Sequence, residues 1–98
     1  MGMYFFDWAV DLAKVPIDPK ERGTGWAMLM AMVRQDHEKG LVKAWGGFIG
    51  ELNGFVVYEG EEVEVLNAIQ QYIPFCTFKA KPVASEDQIN SMIKALTG

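Results

Sequence analysis

The sequence predicts an α+β domain with the element order β-α-β-β-α-β and an extra C-terminal helix. Three observations carry this expectation. Residues 40–60, GLVKAWGGFIGELNGFVVYEG, read as a helix stop, a strand, a glycine-rich bend, a tight turn, a second strand and a release into another helix. Residues 3–10 are aromatic and β-branched, as a strand requires. Asp18-Pro19-Lys20-Glu21 and Ser85-Glu86-Asp87-Gln88 are helix-start signatures, each with a capping residue and an acceptor three positions on.

Each element follows from its own residues. Strand 1, residues 3–10, presents Tyr4, Phe6, Trp8 and Val10 on one face and Met3, Phe5, Asp7 and Ala9 on the other. A connection ended by Pro16 leads to helix 1, which starts at Pro19 or, given Gly23 and Gly25, at Thr24. Trp26, Leu29, Met30, Val33 and His37 fall on one helical face, and Gly40 supplies a left-handed cap. Strand 2 spans 41–49, and Gly46, Gly47 and Gly50 in and after it suggest a bulge or a close approach. Asn53-Gly54 is the expected hairpin turn into strand 3, residues 55–59. Glu61 and Glu62 open helix 2, with Val63, Leu66, Ile69 and Ile73 at helical spacing and Pro74 as its stop. Strand 4 is residues 75–83. The last helix, about 85–97, has Ile89, Met92, Ile93 and Leu96 on its apolar face.

The bulk numbers bound the function. A chain of 98 residues makes one domain, 1–98, with one core. The net charge of -4 and the lack of clustered basic residues argue against a nucleic-acid partner. No apolar run approaches a membrane span, and the N-terminal residues have no basic segment of a signal peptide. A single Cys fits a reducing, cytoplasmic setting, and with a single His it excludes ordinary zinc spacings. No cofactor is expected. Two helices cover one face of a four-stranded sheet, and the uncovered face is too apolar for water. The simplest remedy is a second copy laid sheet to sheet, with the C-terminal helix covering part of that face or clasping the partner.

The residues Lys39-Gly40-Leu41-Val42-Lys43-Ala44-Trp45-Gly46, Asn53-Gly54-Phe55-Val56-Val57-Tyr58-Glu59 and Ile73-Pro74-Phe75 with Pro82-Val83 give a chain that resembles the dimeric α/β-barrel superfamily. Its subunits are ferredoxin-like, and the closest likeness is to small muconolactone-isomerase-like and DUF3303-type proteins. The resemblance implies a ferredoxin-like sandwich that dimerises into an α/β barrel. Superfamily members include isomerases, cofactor-free oxygenases, haem-degrading enzymes and non-catalytic binding domains, so the resemblance selects no reaction.

Candidate chemistry comes from the face that Asp7 marks. Period-two alternation groups Met3, Phe5 and Asp7 with Lys43, Trp45 and Gly47, with Phe55, Val57 and Glu59, and with Thr77, Lys79 and Lys81. A bulge at Gly46-Gly47 would switch the parity of later residues in strand 2. Asp7, set in MYFFDWAV, reads either as a cavity acid or base, or as the ion-pair partner of Lys79 or Lys43 at a solvated strand end. Glu59 reads as a second cavity carboxylate or as a solvated strand end. Lys79 and Lys81 read as anion contacts or as charges that blunt a sheet edge. His37 reads as a general base or as a surface residue at a helix C-terminus. Cys76 reads as a buried, inert thiol. Trp45, beside two glycines, is the best candidate for a pocket wall, with Phe5 and Tyr58 or Val57. No nucleophile elbow, P-loop or dinucleotide fingerprint is present. These residues predict a small dimeric protein that binds a small, partly apolar or anionic molecule between sheet and helices. Proton transfer of the isomerase type, with Asp7 or Glu59 as base, is the reaction class consistent with them. The alternative is a non-catalytic dimerisation or regulatory module whose cavity is filled by its own aromatics.

Overall fold

The structure is a computed structural model that describes residues 2–50 and 52–98. Strand β1 (Gly2–Val10) leads through a 3-10 turn at Leu12–Lys14 to helix α1 (Pro19–Glu38). Strands β2 (Val42–Gly47) and β3 (Asn53–Gly60), helix α2 (Glu62–Gln70), strand β4 (Cys76–Val83) and helix α3 (Glu86–Thr97) follow. All strand pairs are antiparallel, in the order β2-β3-β1-β4. This α+β architecture, an open four-stranded sheet with three helices, is compatible with a ferredoxin-like fold.

Local chemistry accounts for the helix limits. Asp18 caps α1 by accepting from Glu21 N at 3.1 Å, so the helix takes its earlier start and carries Gly23 and Gly25 inside it. Gly40, at φ +82°, supplies the left-handed residue after α1. Ser85 and Gln88 close a reciprocal capping box at α3, and Glu61 and Glu64 close another at α2.

The core lies between the sheet and the first two helices. Phe6, Val56 and Tyr58 of the sheet meet Val65, Ala68 and Ile69 of α2, joined by Val42. Phe6 sits edge-on to both Tyr58 and Phe78, with ring centroids 5.6 and 6.0 Å apart.

Three sequence expectations are corrected. The hairpin turn is not Asn53-Gly54, because those residues begin β3. The link is residues 48–52, closed by Phe48 N donating to Asn53 O at 2.9 Å, with Gly50 at φ +86°. Gly54 is required for another reason: a Cβ there would overlap Gly46 O and come within 2.6 Å of Cζ2 of Trp8. The bulge lies between Val42 and Ala44, not at the glycines. Ala44 therefore pairs with Val57 and Trp45 with Val56, which moves Trp45 and Gly47 to the helix-covered face. Finally, α2 buries Val65, Ala68 and Ile69, while Val63 and Leu66 are exposed.

Helix α3 buries none of its residues, and Leu96 is 78% exposed. It does not cover the open face of the sheet. The chain extends 61 × 25 × 18 Å, and its radius of gyration is 16.1 Å. A compact chain of this length has about 13 Å.

Candidate functional site

The sheet separates the sequence-predicted site residues into two groups. Asp7 lies opposite Phe55 on one side and Lys79 on the other, and Phe5 lies opposite Val57 and Lys81. Residues directly opposite in an antiparallel pair share a face. Asp7, Phe5, Val57, Glu59 and Lys79 thus stand together on the open face, where Phe5 and Phe55 stack with centroids 6.0 Å apart. Lys43 Nζ is 4.0 Å from Glu59 Oε1, a loose pair at an exposed strand. Trp45 and Tyr58 lie on the other face, beneath α1. Asp7 has no hydrogen bond or ion pair among the described residues.

The concave surface lies on the helix-covered face. The first half of α1, the connection before it, Leu52 and Phe75 enclose an open cavity of about 290 Å³. Trp26, Met28, Leu29 and Met32 form its helical wall, and Val10 and Phe75 its sheet side. Trp26 and Leu29 also bound a smaller void of about 60 Å³, deeper between α1 and the sheet. That void is walled by Trp8, Trp45, Val56 and Phe78. Trp8 is fixed by Nε1 donating to Phe55 O at 3.0 Å and meets Trp26 edge-on, with centroids 6.4 Å apart. Trp26, Leu29 and Met30, which share one helical face, thus border a space rather than filling it.

The buried carboxylate that sequence reasoning missed is Asp36, in the last full turn of α1 and only 1% exposed. Its Oδ2 accepts from the hydroxyls of Tyr58 and Tyr72, each at 3.1 Å, and Gln71 Nε2 donates to both oxygens at 3.1 and 3.2 Å. Burial, and next the neighbouring Tyr72 and Asp36, raise the Tyr58 hydroxyl well above the usual phenol range. Burial and then Asp36 raise Tyr72 in the same way. Both therefore act as donors that hold the carboxylate. The available signal was helical spacing: 26, 29, 33 and 36 share a face as well as 26, 30, 33 and 37 do. His37, read from sequence as a general base or as a surface residue at the helix C-terminus, is exposed, as the surface reading expects. Cys76 is buried, and burial raises its thiol above the ordinary value.

Among the described residues no cluster of His, Cys, Asp or Glu could hold a metal ion, and no helix is long and apolar enough to cross a membrane. No protein-family model matches the chain, and no curated protein matches it.

Proposed function

We propose that this chain is a sheet-to-sheet homodimer, of the dimeric α/β-barrel kind, that binds a small, partly apolar molecule under α1. The observation that carries the binding reading is the cavity of about 290 Å³ between α1 and the end of the sheet. Its size lies just below the range of ligand pockets, about 300–1,000 Å³, and its walls are mostly apolar and aromatic, as such pockets are. Among the described residues its lining contains no carboxylate and no histidine. Proton transfer through Asp7 or Glu59 needs a substrate on the opposite face, so the reading is of binding rather than of reaction.

The dimer reading rests on the uncovered face and on α3. Phe5, Phe55 and Val57 leave a half-exposed apolar surface across the centre of the sheet. The exposed apolar stripe of α3 gives a second copy something to grip.

Two measurements test these readings. N-Phenyl-1-naphthylamine, a neutral apolar fluorophore, should bind saturably at one per subunit. Gly25→Phe should abolish that uptake without unfolding the protein, because a Cβ at Gly25 enters open space on the cavity wall. Uptake unchanged in Gly25→Phe sinks the cavity. Sedimentation equilibrium should give twice the subunit mass for the parent protein and the subunit mass for Val57→Glu. A monomeric parent at micromolar concentration sinks the dimer.

A further inference from the structure

We infer that the molecule held under α1 is an anion: an apolar body carrying a carboxylate or a similar acid, bound by Arg22 and Lys14. The inference rests on the cavity reading above and names the ligand class. The chain as a whole is acidic, with 13 Asp and Glu against 9 Lys and Arg. The cavity reverses that balance. Arg22 and Lys14 both line it, and among the described residues no acidic side chain does.

Among the described residues, Arg22 and Lys14 have no carboxylate partner within ion-pair distance. Arg22 instead donates from Nη1 to the backbone carbonyls of Pro16 and Ile17. Those bonds tie the guanidinium to the connection that leads into α1. A guanidinium has five N–H donors in a planar fork, so donors remain for a planar acid group. Lys14 belongs to the 3-10 turn Leu12–Lys14, which Asp11 caps by accepting from Ala13 N at 3.0 Å. Lys14 is thus carried by a short capped turn and Arg22 by the first turn of α1, and both residues line an apolar space. Gln71, which also lines the cavity, already gives its amide protons to Asp36 and Ala68 O. It has little left for an anion, so the two cations are the anion's partners.

The test uses two probes of one shape, 2-naphthoate and 2-naphthamide, each competing with N-phenyl-1-naphthylamine on the full chain. The expected result is that the acid displaces the fluorophore about 10-fold more tightly than the amide, as a charge-assisted contact predicts. Added salt should shrink the preference. Lys14→Gln should reduce it, and Lys14→Gln with Arg22→Gln should bring it to about one while the neutral fluorophore still binds. Because Arg22 also braces the connection, the Lys14→Gln result alone keeps the inference testable if the double variant folds poorly. Lys79→Gln, on the opposite face, should leave the preference unchanged. Equal displacement by acid and amide in the parent protein overturns the anion while leaving the cavity standing. A preference that survives in Lys14→Gln and disappears in Lys79→Gln also overturns it, and moves the anion to the open face. Failure of the neutral fluorophore to bind at all overturns the cavity and this inference with it.

Discussion

Each face of the sheet has a carboxylate beside it, Asp7 on a strand and Asp36 on α1, and the two live under opposite conditions. Asp36, under the helix layer, is 1% exposed and accepts four hydrogen-bond contacts from three side chains. Asp7, on the open face, is partly exposed and has neither a hydrogen bond nor an ion pair among the described residues. In sequence their appearance is the reverse: Asp7 stands in MYFFDWAV and Asp36 in DHEK. Flanking residues along a strand alternate between faces, so they say little about the environment of one side chain. Flanking residues on a helix point around the axis, so a polar run can carry one buried member. What decides burial is the face, and the face is set by register.

The largest expected effect breaks the covered face. While the exposed Gln71 keeps its bond to Ala68 O, Asp36→Ala leaves the hydroxyls of Tyr58 and Tyr72 buried without their acceptor. It should lower the unfolding free energy in urea by about 3 kcal/mol or more, whereas Asp36→Asn, which keeps one acceptor oxygen, should lose about 1–2 kcal/mol. A loss below 1 kcal/mol for Asp36→Ala would mean that water reaches the cluster. Next in size is Gly54→Ala. Its methyl would meet Gly46 O, Cα of Gly47 and the Trp8 ring, and two of these three are backbone. A destabilisation of about 1–3 kcal/mol is expected. Gly23→Ala, with open space around it in α1, should instead stabilise by up to about 1 kcal/mol. Equal effects at the two glycines would contradict the contact between Trp8 and Gly54.

These glycines show what was legible in the sequence and what was not. Asp18-Pro19, Gly40 and the Ser85–Gln88 box announce helix ends through bonds made within four residues, and the structure contains all three. Element order follows from such local signals. Asn53-Gly54 looks like a turn because the same glycine that permits a turn also permits a tryptophan to lie on a strand, and Trp8 is 46 positions earlier. The bulge at Lys43 has no glycine to mark it, yet it alone transfers Trp45 from the face of Asp7 to the face of Tyr58. The cavity was out of reach for the same reason: its walls come from four separate segments. The helical face that begins at Trp26 could be read, but not whether its last member was Asp36 or His37, since both satisfy the spacing.

Alkaline titration sharpens the comparison without mutation. A tyrosine in the unfolded chain ionises near pH 10. Tyr58 and Tyr72 are raised in the folded state, by burial first and then by nearby charge. Above pH 10 the unfolded chain therefore binds fewer protons than the folded one, and stability falls as pH rises. Their contribution is complete below pH 10 and is lost as the pH climbs toward the folded values. Tyrosinate absorbance from these two residues should appear only with cooperative unfolding. A signal from either at pH 10 in protein that keeps its circular dichroism would place that hydroxyl in water. Tyr72→Phe should flatten the alkaline loss of stability.

The smallest expected effect falls on the open face, and it is informative because it is small. Asp7→Asn removes a charge that has no partner among the described residues, across from an exposed Lys79. An exposed pair at this spacing is worth little, so the isolated subunit should change by at most about 0.5 kcal/mol. The measurement is urea unfolding at two protein concentrations. In a lone subunit the effect is the same at both. When a second copy covers the face, Asp7 loses water on association, and the effect of removing its charge acquires a dependence on protein concentration. A loss of several kcal/mol in dilute protein would contradict the contrast with Asp36, because it would require Asp7 to hold a buried partner within its own chain.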